Sequence, residues 1–308
     1  MKLEQLRALC RIVAEGCSVS RAAETLNTPQ PGVSRQLRTL ERELGVEIFR
    51  RNRKRLLGLT APGAAIHKVA KRMLEDAATL GKIGREFSAA DSGSLTVATT
   101  HTQSRYALPA VIRRFTARFP KVRLMLRQGN PAEIVELVRT GEADLCIGSE
   151  SAELSDDLLF LPCYELERIV LTPPRHALLR ERRLSLEALA RYPIITYDPP
   201  FMGRSKLVQA FEAHRITPNI ALSATDTDVI KSYVELGLGI AIVARLAFDP
   251  ARDRKLRAID ASHLFESNTI HLGLRRNDYL RSYVFEFIEM YAPRLRRHVV
   301  EKALLAAE

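Results

Sequence analysis

The sequence lacks tryptophan, has few cysteines and contains no long apolar run. A membrane-spanning helix needs roughly 18 or more consecutive apolar residues, so the sequence predicts none. Charged side chains interrupt the apolar pattern at the N-terminus, which is not typical of a secretory signal peptide. The cysteines form neither a CxxC pair nor a zinc-ligand spacing, which favours reduced, packing cysteines in a cytoplasmic protein. They are Cys10, Cys17, Cys146 and Cys163.

Motifs that mark several common enzyme classes are also missing. The sequence has no GxSxG elbow, no P-loop, no GxGxxG turn and no HExxH helix. Cys146 lies within an apolar strand pattern and Cys163 borders a crossover, and neither position is typical of an activated nucleophile. The sequence therefore predicts no catalytic residue, no cofactor and no bound metal.

Basic residues are concentrated at the N-terminal end of the 308-residue chain. The net charge is +11, and residues 1–60 hold 12 Lys and Arg against 6 Asp and Glu. Residues 61–90 hold 5 against 3, and residues 91–308 hold 30 against 27. A basic domain joined to a nearly neutral region is typical of a nucleic-acid reader followed by a different module. A solvated basic face is the alternative that charge alone leaves open.

Cap and stop residues divide the first 45 residues into three predicted helices. Apolar residues recur at helical spacing in each of them. The predicted N-caps are Ser18 and Thr28, and Pro29 occupies the first position of the third helix. The predicted stops are Gly16, Asn27 and Gly45.

The third predicted helix has an apolar face and a polar face. Its polar residues Gln30, Ser34 and Arg35 lie near the helix start, where the second helix of a helix-turn-helix reads base edges. Arg can hold guanine and Gln can hold adenine, each through paired hydrogen bonds. The buried stripe opposite them is predicted to be Val33, Leu37, Leu40 and Leu44.

A basic ribbon is predicted to follow this helix. The segment VEIFRRNRKRLLGLT suits a short β-ribbon with a basic tip. The basic side chains of this segment, together with Arg38, are better placed to contact DNA phosphates than base edges. Phosphate contacts set affinity but carry no sequence information. Residues 1–60 are thus predicted to form a winged helix-turn-helix domain, whose DNA-contacting residues are Thr28, Gln30, Pro31, Ser34, Arg35, Arg38, Arg51, Arg53 and Lys54.

Residues 61–90 are predicted to form a linker helix, capped by Thr60, and a hinge from Ala89 to Ser94. Apolar residues spaced by seven give the narrow seam of a coiled coil, which favours a homodimer. A helix packed on its own domain is the alternative. The seam residues are Ile66, Met73, Leu80 and Phe87.

Beyond the hinge, strand and helix patterns alternate to the end of the chain. The β-α-β-α-β order predicts parallel sheets with covering helices, and a second comparable set follows the first. The fold class is therefore α/β, with two lobes and a ligand between them. Residues 91–308 form this effector-binding domain, with lobe I at about 94–163 and 268–308 and lobe II at about 164–267.

Polar residues at strand-to-helix turns are the candidate effector ligands. Open α/β sheets bind ligands beyond the carboxyl ends of their strands, and helix N-termini hold anions through free N–H groups. Neutral dipoles suffice for a small oxyanion, so no Lys or Arg is required in the pocket. Each Thr or Ser is alternatively a simple helix cap. The candidates are Thr100, Thr102, Gln103, Ser149, Met202, Gly203 and Thr225.

The segment AAETLNTPQPGVSRQLRTLERELGVEIFRR, followed by LTAPG, resembles the DNA-binding domain of LysR-type transcriptional regulators. The resemblance implies a linker helix and two α/β lobes like those of periplasmic binding proteins. It also implies homotetramers, promoter DNA, a small anionic effector and RNA polymerase as partners, and no membrane. The stretches GSLTVATTHTQSRYALPAVI, LPCY and ATDTDVIKSYVELGLG resemble the CysB-like branch, which controls sulfur assimilation and cysteine supply.

Two positions depart from the CysB-like pattern. Met202 stands where the branch has Thr, and Leu166 stands where it has Trp. A thioether donates no hydrogen bond, so the pocket is less polar at one position and less aromatic at the other. Sulfate, thiosulfate, acetylserine and larger sulfur-containing anions stay open as effectors. A regulator of sulfonate or sulfate-starvation genes, or of an unrelated pathway, is the alternative, and an enzyme on the lobes is the least favoured interpretation.

Overall fold

The computed structural model describes residues 1–52, 55–88, 92–149, 157–199, 202–276 and 278–306. The chain separates into two compact units, of which unit 1 contains residues 1–88 and unit 2 contains most of the remainder. No helix in these described ranges is long and apolar enough to cross a membrane.

Unit 1 has three short helices, a two-stranded ribbon and one long helix, as its sequence predicts. The two strands pair antiparallel, with Phe49 opposite Leu59. The elements are α1 Leu3–Ala14, α2 Val19–Thr25, α3 Gln30–Leu44, β1 Phe49–Asn52, β2 Arg55–Leu59 and α4 Ala61–Ser88.

The helix ends confirm some of the predicted caps and correct others. Ser18 caps α2, because its hydroxyl accepts a hydrogen bond from the Arg21 amide at 3.3 Å. Gly45 ends α3 in the left-handed conformation, with φ 71°. The cap predicted for Thr28 is wrong, since its hydroxyl donates instead to the carbonyl of Leu26 at 3.0 Å.

Two further details of α3 differ from the prediction. Pro29 precedes the helix rather than occupying its first position, because its ψ of 137° is extended. The buried stripe ends one turn early, since Val33, Leu37 and Leu40 are buried but Leu44 is 39% exposed. Leu44 lies at the last position of the helix, beyond the reach of the core.

The long helix α4 uses the first part of its apolar seam within its own unit. Ala70 is buried in the core of unit 1, and Ile66 and Met73 pack against that core. Leu80 is 71% exposed, and the side chain of Phe87 and hinge residues 89–91 lie outside the described part of the chain. The alternative of packing on the same domain therefore holds for the first two seam residues, and dimerisation stays a prediction.

The first turn of α4 approaches the backbone that precedes the ribbon. The Thr60 hydroxyl accepts a hydrogen bond from the Gly63 amide at 2.9 Å, which confirms the predicted cap. A Cβ at Gly63 would lie 2.0 Å from the carbonyl oxygen of Ile48. Only glycine fits this approach, because the clashing atom belongs to a backbone that pairs with Thr60.

Replacement of Gly63 by Ala is expected to destabilise unit 1 by about 1–3 kcal/mol, the usual cost of overpacking. Urea unfolding followed by circular dichroism measures the change. Gly84→Ala is the matched control, because nothing lies within 4 Å of a Cβ there. It is expected to gain roughly 0.5–1 kcal/mol from helix propensity. A G63A protein as stable as the wild type would contradict the close-approach argument.

Unit 2 contains two five-stranded sheets with helices on their faces. A π-helical turn, Gln103–Ala107, precedes its first long helix. The elements are β3 Gly93–Thr99, α5 Leu108–Arg118, β4 Val122–Gln128, α6 Pro131–Arg139, β5 Leu145–Ser149, β6 Leu158–Leu166, β7 Arg168–Thr172, α7 Leu186–Ala190, β8 Ile194–Tyr197, α8 Met202–Ala213, β9 Ile220–Ala224, α9 Thr227–Glu235, β10 Ile240–Ala244, β11 Arg257–Asp260, β12 Asn268–Arg275, α10 Ser282–Tyr291 and α11 Arg297–Leu305.

The strand order defines lobe I as β4-β3-β5-β12-β6 and lobe II as β11-β7-β10-β8-β9. Strands β3, β4 and β5 are parallel, as are β8, β9 and β10. The parallel pairing predicted from the β-α-β-α-β order is confirmed for these strands, but each sheet also has antiparallel strands, because β12 pairs with β5 and β6, and β7 with β10 and β11. Both sheets are therefore mixed, and the chain first passes from lobe I to lobe II between Leu166 and Arg168.

Candidate functional site

The loop after β3 carries the predicted effector residues of lobe I. Thr100 follows the last residue of β3, and helical turns begin at His101. The backbone then forms the π-helical turn Gln103–Ala107 before α5 begins. Such turns are rare and occur frequently at functional sites. This local geometry places Thr100, Thr102 and Gln103 at the carboxyl edge of the lobe I sheet.

The side-chain amide of Gln103 is fixed by two tyrosines. Gln103 is 1% exposed, and its Oε1 accepts hydrogen bonds from the Tyr164 hydroxyl at 2.6 Å and the Tyr291 hydroxyl at 3.0 Å. Burial raises the pKa of both tyrosines, so each hydroxyl retains its proton. With its oxygen held in this way, the amide NH2 group points away from the tyrosines. It forms no hydrogen bond to the described residues and is available as a donor.

The threonine hydroxyls of the same loop differ in their partners. Thr100 is 7% exposed, and its hydroxyl makes no hydrogen bond to the described part of the chain. Its methyl group would lie 3.5 Å from a Cβ at Gly148, so it adjoins the end of β5, where Ser149 is half-buried. The Thr102 hydroxyl instead lies 3.2 Å from the Thr227 hydroxyl, within hydrogen-bonding distance. Thr100, Gln103 and Ser149 thus offer uncharged donors at one edge.

The start of α9 in lobe II meets this loop through polar contacts. The carboxylate of Asp228 accepts hydrogen bonds from Arg105, at 3.0 Å, and from the Tyr106 hydroxyl. Thr227 is fully buried and also lies 2.9 Å from the Tyr197 hydroxyl. These contacts join the two lobes at the loop that carries the candidate ligands.

The charges around Asp228 favour its ionised form. Burial alone would raise the pKa of Asp228, but the Tyr106 hydrogen bond and the charges of Arg105 and Lys231 outweigh it and lower the pKa. Burial, followed by the contact with Asp228, raises the pKa of Tyr106. The proton therefore stays on Tyr106, which donates to the carboxylate.

Replacement of Asp228 by Asn is expected to lower the melting temperature of unit 2 at pH 7, by an amount equivalent to about 1 kcal/mol. Because its pKa is depressed in the folded state, Asp228 stabilises the fold above its unfolded value of about 4. The difference between wild type and D228N is expected to shrink as the pH falls below that value. Calorimetry from pH 7 to pH 3 measures it, with exposed Glu212→Gln as the control. A difference independent of pH would contradict this role of the carboxylate.

The other predicted effector residues occupy different environments. Met202 and Gly203 begin α8, and their side-chain surroundings lie outside the described structure. Thr225 is exposed, whereas Thr227, two residues later, contacts the loop. The roles predicted for these residues stay predictions. Sequence reasoning missed Tyr164, Tyr291, Thr227 and Asp228.

One group of potential metal ligands is found among the described residues. Ligand atoms of His101, Asp226 and Asp228 lie within 4.8 Å of one another. The carboxylates already have partners, since Asp226 caps α9 and lies 3.1 Å from His101 Nε2. The arrangement supports His101 as a residue that holds the loop.

The candidate DNA-binding surface of unit 1 lies on the polar face of α3. Gln30, Arg35 and Arg38 are exposed, and Ser34 is half-buried. Gln30 Nε2 donates to the Ser34 hydroxyl at 3.3 Å, and Arg38 Nε donates to the Ser34 carbonyl at 3.3 Å. The side chain of Arg35 is therefore the least engaged of the three long side chains on this face.

The other predicted DNA contacts lie around the ribbon and before α3. Arg51 is paired with Glu41 of α3 at 2.6 Å, so a phosphate would compete with that carboxylate. Pro31 is exposed in the first turn of α3. Arg53 and Lys54, at the predicted basic tip, lie outside the described residues.

The environment of two cysteines opposes nucleophilic chemistry. Burial raises the pKa of the Cys146 thiol to about 12 and that of the Cys163 thiol to about 12. Both thiols therefore stay protonated near pH 7, and a protonated thiol is a poor nucleophile.

Comparison with known families covers nearly the whole chain. Residues 3–64 match a family described as bacterial regulatory helix-turn-helix protein, lysR family. Residues 88–296 match the LysR substrate binding domain.

Two curated relatives are similar over nearly the full length of both chains, and two solved structures share the fold. HTH-type transcriptional regulator SsuR of Burkholderia cenocepacia is 50% identical over 96% of both chains. HTH-type transcriptional regulator CysB of the same species is 45% identical, with 99% of this chain and 97% of the relative covered. The solved cofactor-binding domain of the Cbl transcriptional regulator is 42% identical, with a TM-score of 0.66 over 69% of this chain and 93% of that chain. A full-length OxyR variant from Pseudomonas aeruginosa shares the fold, at 23% identity and TM-score 0.67 over 96% and 95% of the two chains.

Proposed function

The chain belongs to the LysR family of transcriptional regulators, and we propose that it regulates genes of sulfur metabolism in response to a small anion bound between its two α/β lobes. Sulfate, thiosulfate, acetylserine or a related sulfur metabolite is the effector. The likeness to SsuR, CysB and Cbl supports the pathway. Met202 and Leu166 are the positions at which the effector preference departs from that of the CysB-like branch.

The DNA-binding function rests on the exposed face of α3. Arg35 and Gln30 read base edges in the major groove, and Arg38 contacts a phosphate. The wing supplies further phosphate contacts through Arg51, Arg53 and Lys54. Thr28, Pro31 and Ser34 complete the surface at the start of the helix.

The observation that carries the effector function is the fixed amide of Gln103. The buried Tyr291 and the half-buried Tyr164 hold its oxygen, so its N–H groups are preset as donors, and the Thr100 hydroxyl beside it makes no hydrogen bond to the described residues. Backbone N–H groups at helix N-termini bind anions without a formal charge, and these uncharged side-chain donors lie at such a helix start. Thr102, Ser149, Met202, Gly203 and Thr225 line the remainder of the site.

Effector binding alters DNA affinity by shifting an equilibrium between lobe arrangements. A ligand shifts such an equilibrium only by its difference in affinity for the two arrangements. The loop 100–107 contacts α9 of lobe II, so an anion at this loop acts where the lobes meet. The protein works in the cytoplasm as a homotetramer, dimerised through α4, together with RNA polymerase and without catalytic activity of its own.

Fluorescence anisotropy with the full chain tests both halves of the proposal. Duplexes selected by the protein from a random pool are titrated at several salt concentrations, with and without sulfate or O-acetylserine. We expect salt-dependent binding to the selected duplex and a change in affinity with at least one of the two anions. Equal affinity for selected and scrambled duplexes would overturn the DNA-binding part. Absence of binding by either anion in calorimetry would overturn the effector part.

A further inference from the structure

One arginine of lobe II is buried without a partner among the described residues. Arg168, the first residue of β7, is 5% exposed. Its guanidinium forms no hydrogen bond and no ion pair with any residue that the structure describes. Arginine stays protonated in proteins and offers five donors. A buried charge without a counter-charge is costly, so this guanidinium has the properties of an anion receptor.

Arg168 lies at the edge of the lobe II sheet where ligands bind. It pairs with Ala244, the last residue of β10, because β7 runs antiparallel to β10. Its side chain therefore starts beside the carboxyl ends of the parallel strands, which is the ligand-binding edge of such sheets. Burial lowers the pKa of Arg168, because it removes the charged guanidinium from water. Ala244, its pairing partner, packs in the apolar cluster of lobe I, so this edge of the lobe II sheet adjoins lobe I.

A buried hydroxyl on the same face of the sheet also lacks a hydrogen-bond partner among the described residues. Thr196 is fully buried, and its Oγ1 has no hydrogen bond within the described structure. Val170 and Ile194 pack in one apolar cluster, so they share a face of the sheet. Arg168 lies two residues before Val170, and Thr196 lies two residues after Ile194. Because side chains alternate along a strand, both therefore point to that face.

We propose that Arg168, aided by Thr196, binds a second anionic group of the effector, so that the effector is a small organic dianion held by both lobes. The first anionic group of the effector is the oxyanion bound by Thr100 and Gln103. The second is a carboxylate, because a planar guanidinium fork matches a planar carboxylate through two hydrogen bonds. The inference rests on the proposed effector function and specifies its ligand class.

Calorimetry with the full chain and two matched probes tests the proposal. Methanesulfonate carries one anionic group, and sulfoacetate carries the same sulfonate and a carboxylate. We expect the wild type to bind sulfoacetate at least about tenfold more tightly, the effect of one charge-assisted pair. Arg168→Met is expected to abolish this preference and to leave methanesulfonate affinity within about threefold. Arg245→Met, which removes a surface arginine paired with Glu167, is expected to keep the preference.

A stability measurement separates an anion receptor from a structural arginine. Without added anion, R168M is expected to melt at the same temperature as the wild type or higher, because it removes an uncompensated buried charge. A lower melting temperature would overturn the proposal. If R168M does not fold, Arg168→Lys is measured instead, and it is expected to lose most of the preference because lysine lacks the planar fork.

The remaining outcomes distinguish failure of the second anion site from failure of the proposed effector function. Equal affinities of the wild type for the two probes, or a preference that survives in R168M, would overturn the second anion site alone. The proposed effector function would stand in that case if sulfate still binds. Failure of sulfate and both sulfonates to bind the wild type would overturn both.

Discussion

Replacement of Gln103 by Leu is expected to weaken sulfate binding about 10- to 150-fold, because a hydrogen bond to a charged group contributes about 1.5–3 kcal/mol. Leu keeps the approximate volume of the side chain but donates nothing to an anion. It also leaves the hydroxyls of Tyr164 and Tyr291 without their shared acceptor. Isothermal titration calorimetry of the full chain measures the affinity, and a thermal melt verifies folding.

A second glutamine at the same sheet edge provides the control. Gln128, the last residue of β4, is exposed, and its Nε2 donates to the Ser104 hydroxyl at 2.7 Å. Gln128→Leu is expected to change sulfate affinity less than about threefold, as is usual for surface substitutions. Tyr291→Phe is expected to give an intermediate loss, because one of the two bonds that orient the amide remains. Undiminished sulfate binding by folded Q103L would remove Gln103 from the site.

Replacement of Arg35 by Ala is expected to weaken binding to the selected duplex about 5- to 150-fold, which corresponds to about 1–3 kcal/mol for one bidentate base contact. Binding to a scrambled duplex is expected to fall much less, since it depends mainly on phosphates. The preference between the two duplexes therefore decreases. Anisotropy titrations at fixed salt measure both affinities.

Two arginines of the same helix serve as comparisons. Arg38→Ala is expected to lower the affinity for both duplexes to a similar degree. It is also expected to reduce the slope of log affinity against log salt concentration by about one, as for a phosphate contact. Arg42→Ala, exposed in the last turn of α3, is expected to change little. If R35A keeps the full preference of the wild type, base reading by Arg35 is excluded.

Local patterns predicted most of unit 1 because its structure depends on neighbours in sequence. The apolar spacing of α3, the Ser18 cap and the left-handed Gly45 are each set within one or two turns. The cap at Thr28 was wrong because its hydroxyl found a nearer acceptor, the carbonyl of Leu26. In unit 2 the sequence did not indicate β6, whose Pro162 is atypical of a strand but is tolerated at a sheet edge.

The candidate effector site was predictable only in part. The loop from Thr100 to Gln103 follows a clear strand-to-helix pattern, so its position could be inferred. Its partners could not, because Tyr164 and Tyr291 are 61 and 188 residues from Gln103 along the chain. No local spacing relates residues that distant. The burial of Arg168 likewise follows from how β7 returns beside β10, which the alternation of strands and helices does not specify.

The close approach at Gly63 holds the N-terminal end of the long helix α4 against the ribbon. Its first turn is clamped to the Ile48 carbonyl and to Thr60, immediately before and after the ribbon. We therefore expect a rotation of α4 to move the wing with it, because no flexible segment separates the helix from the ribbon.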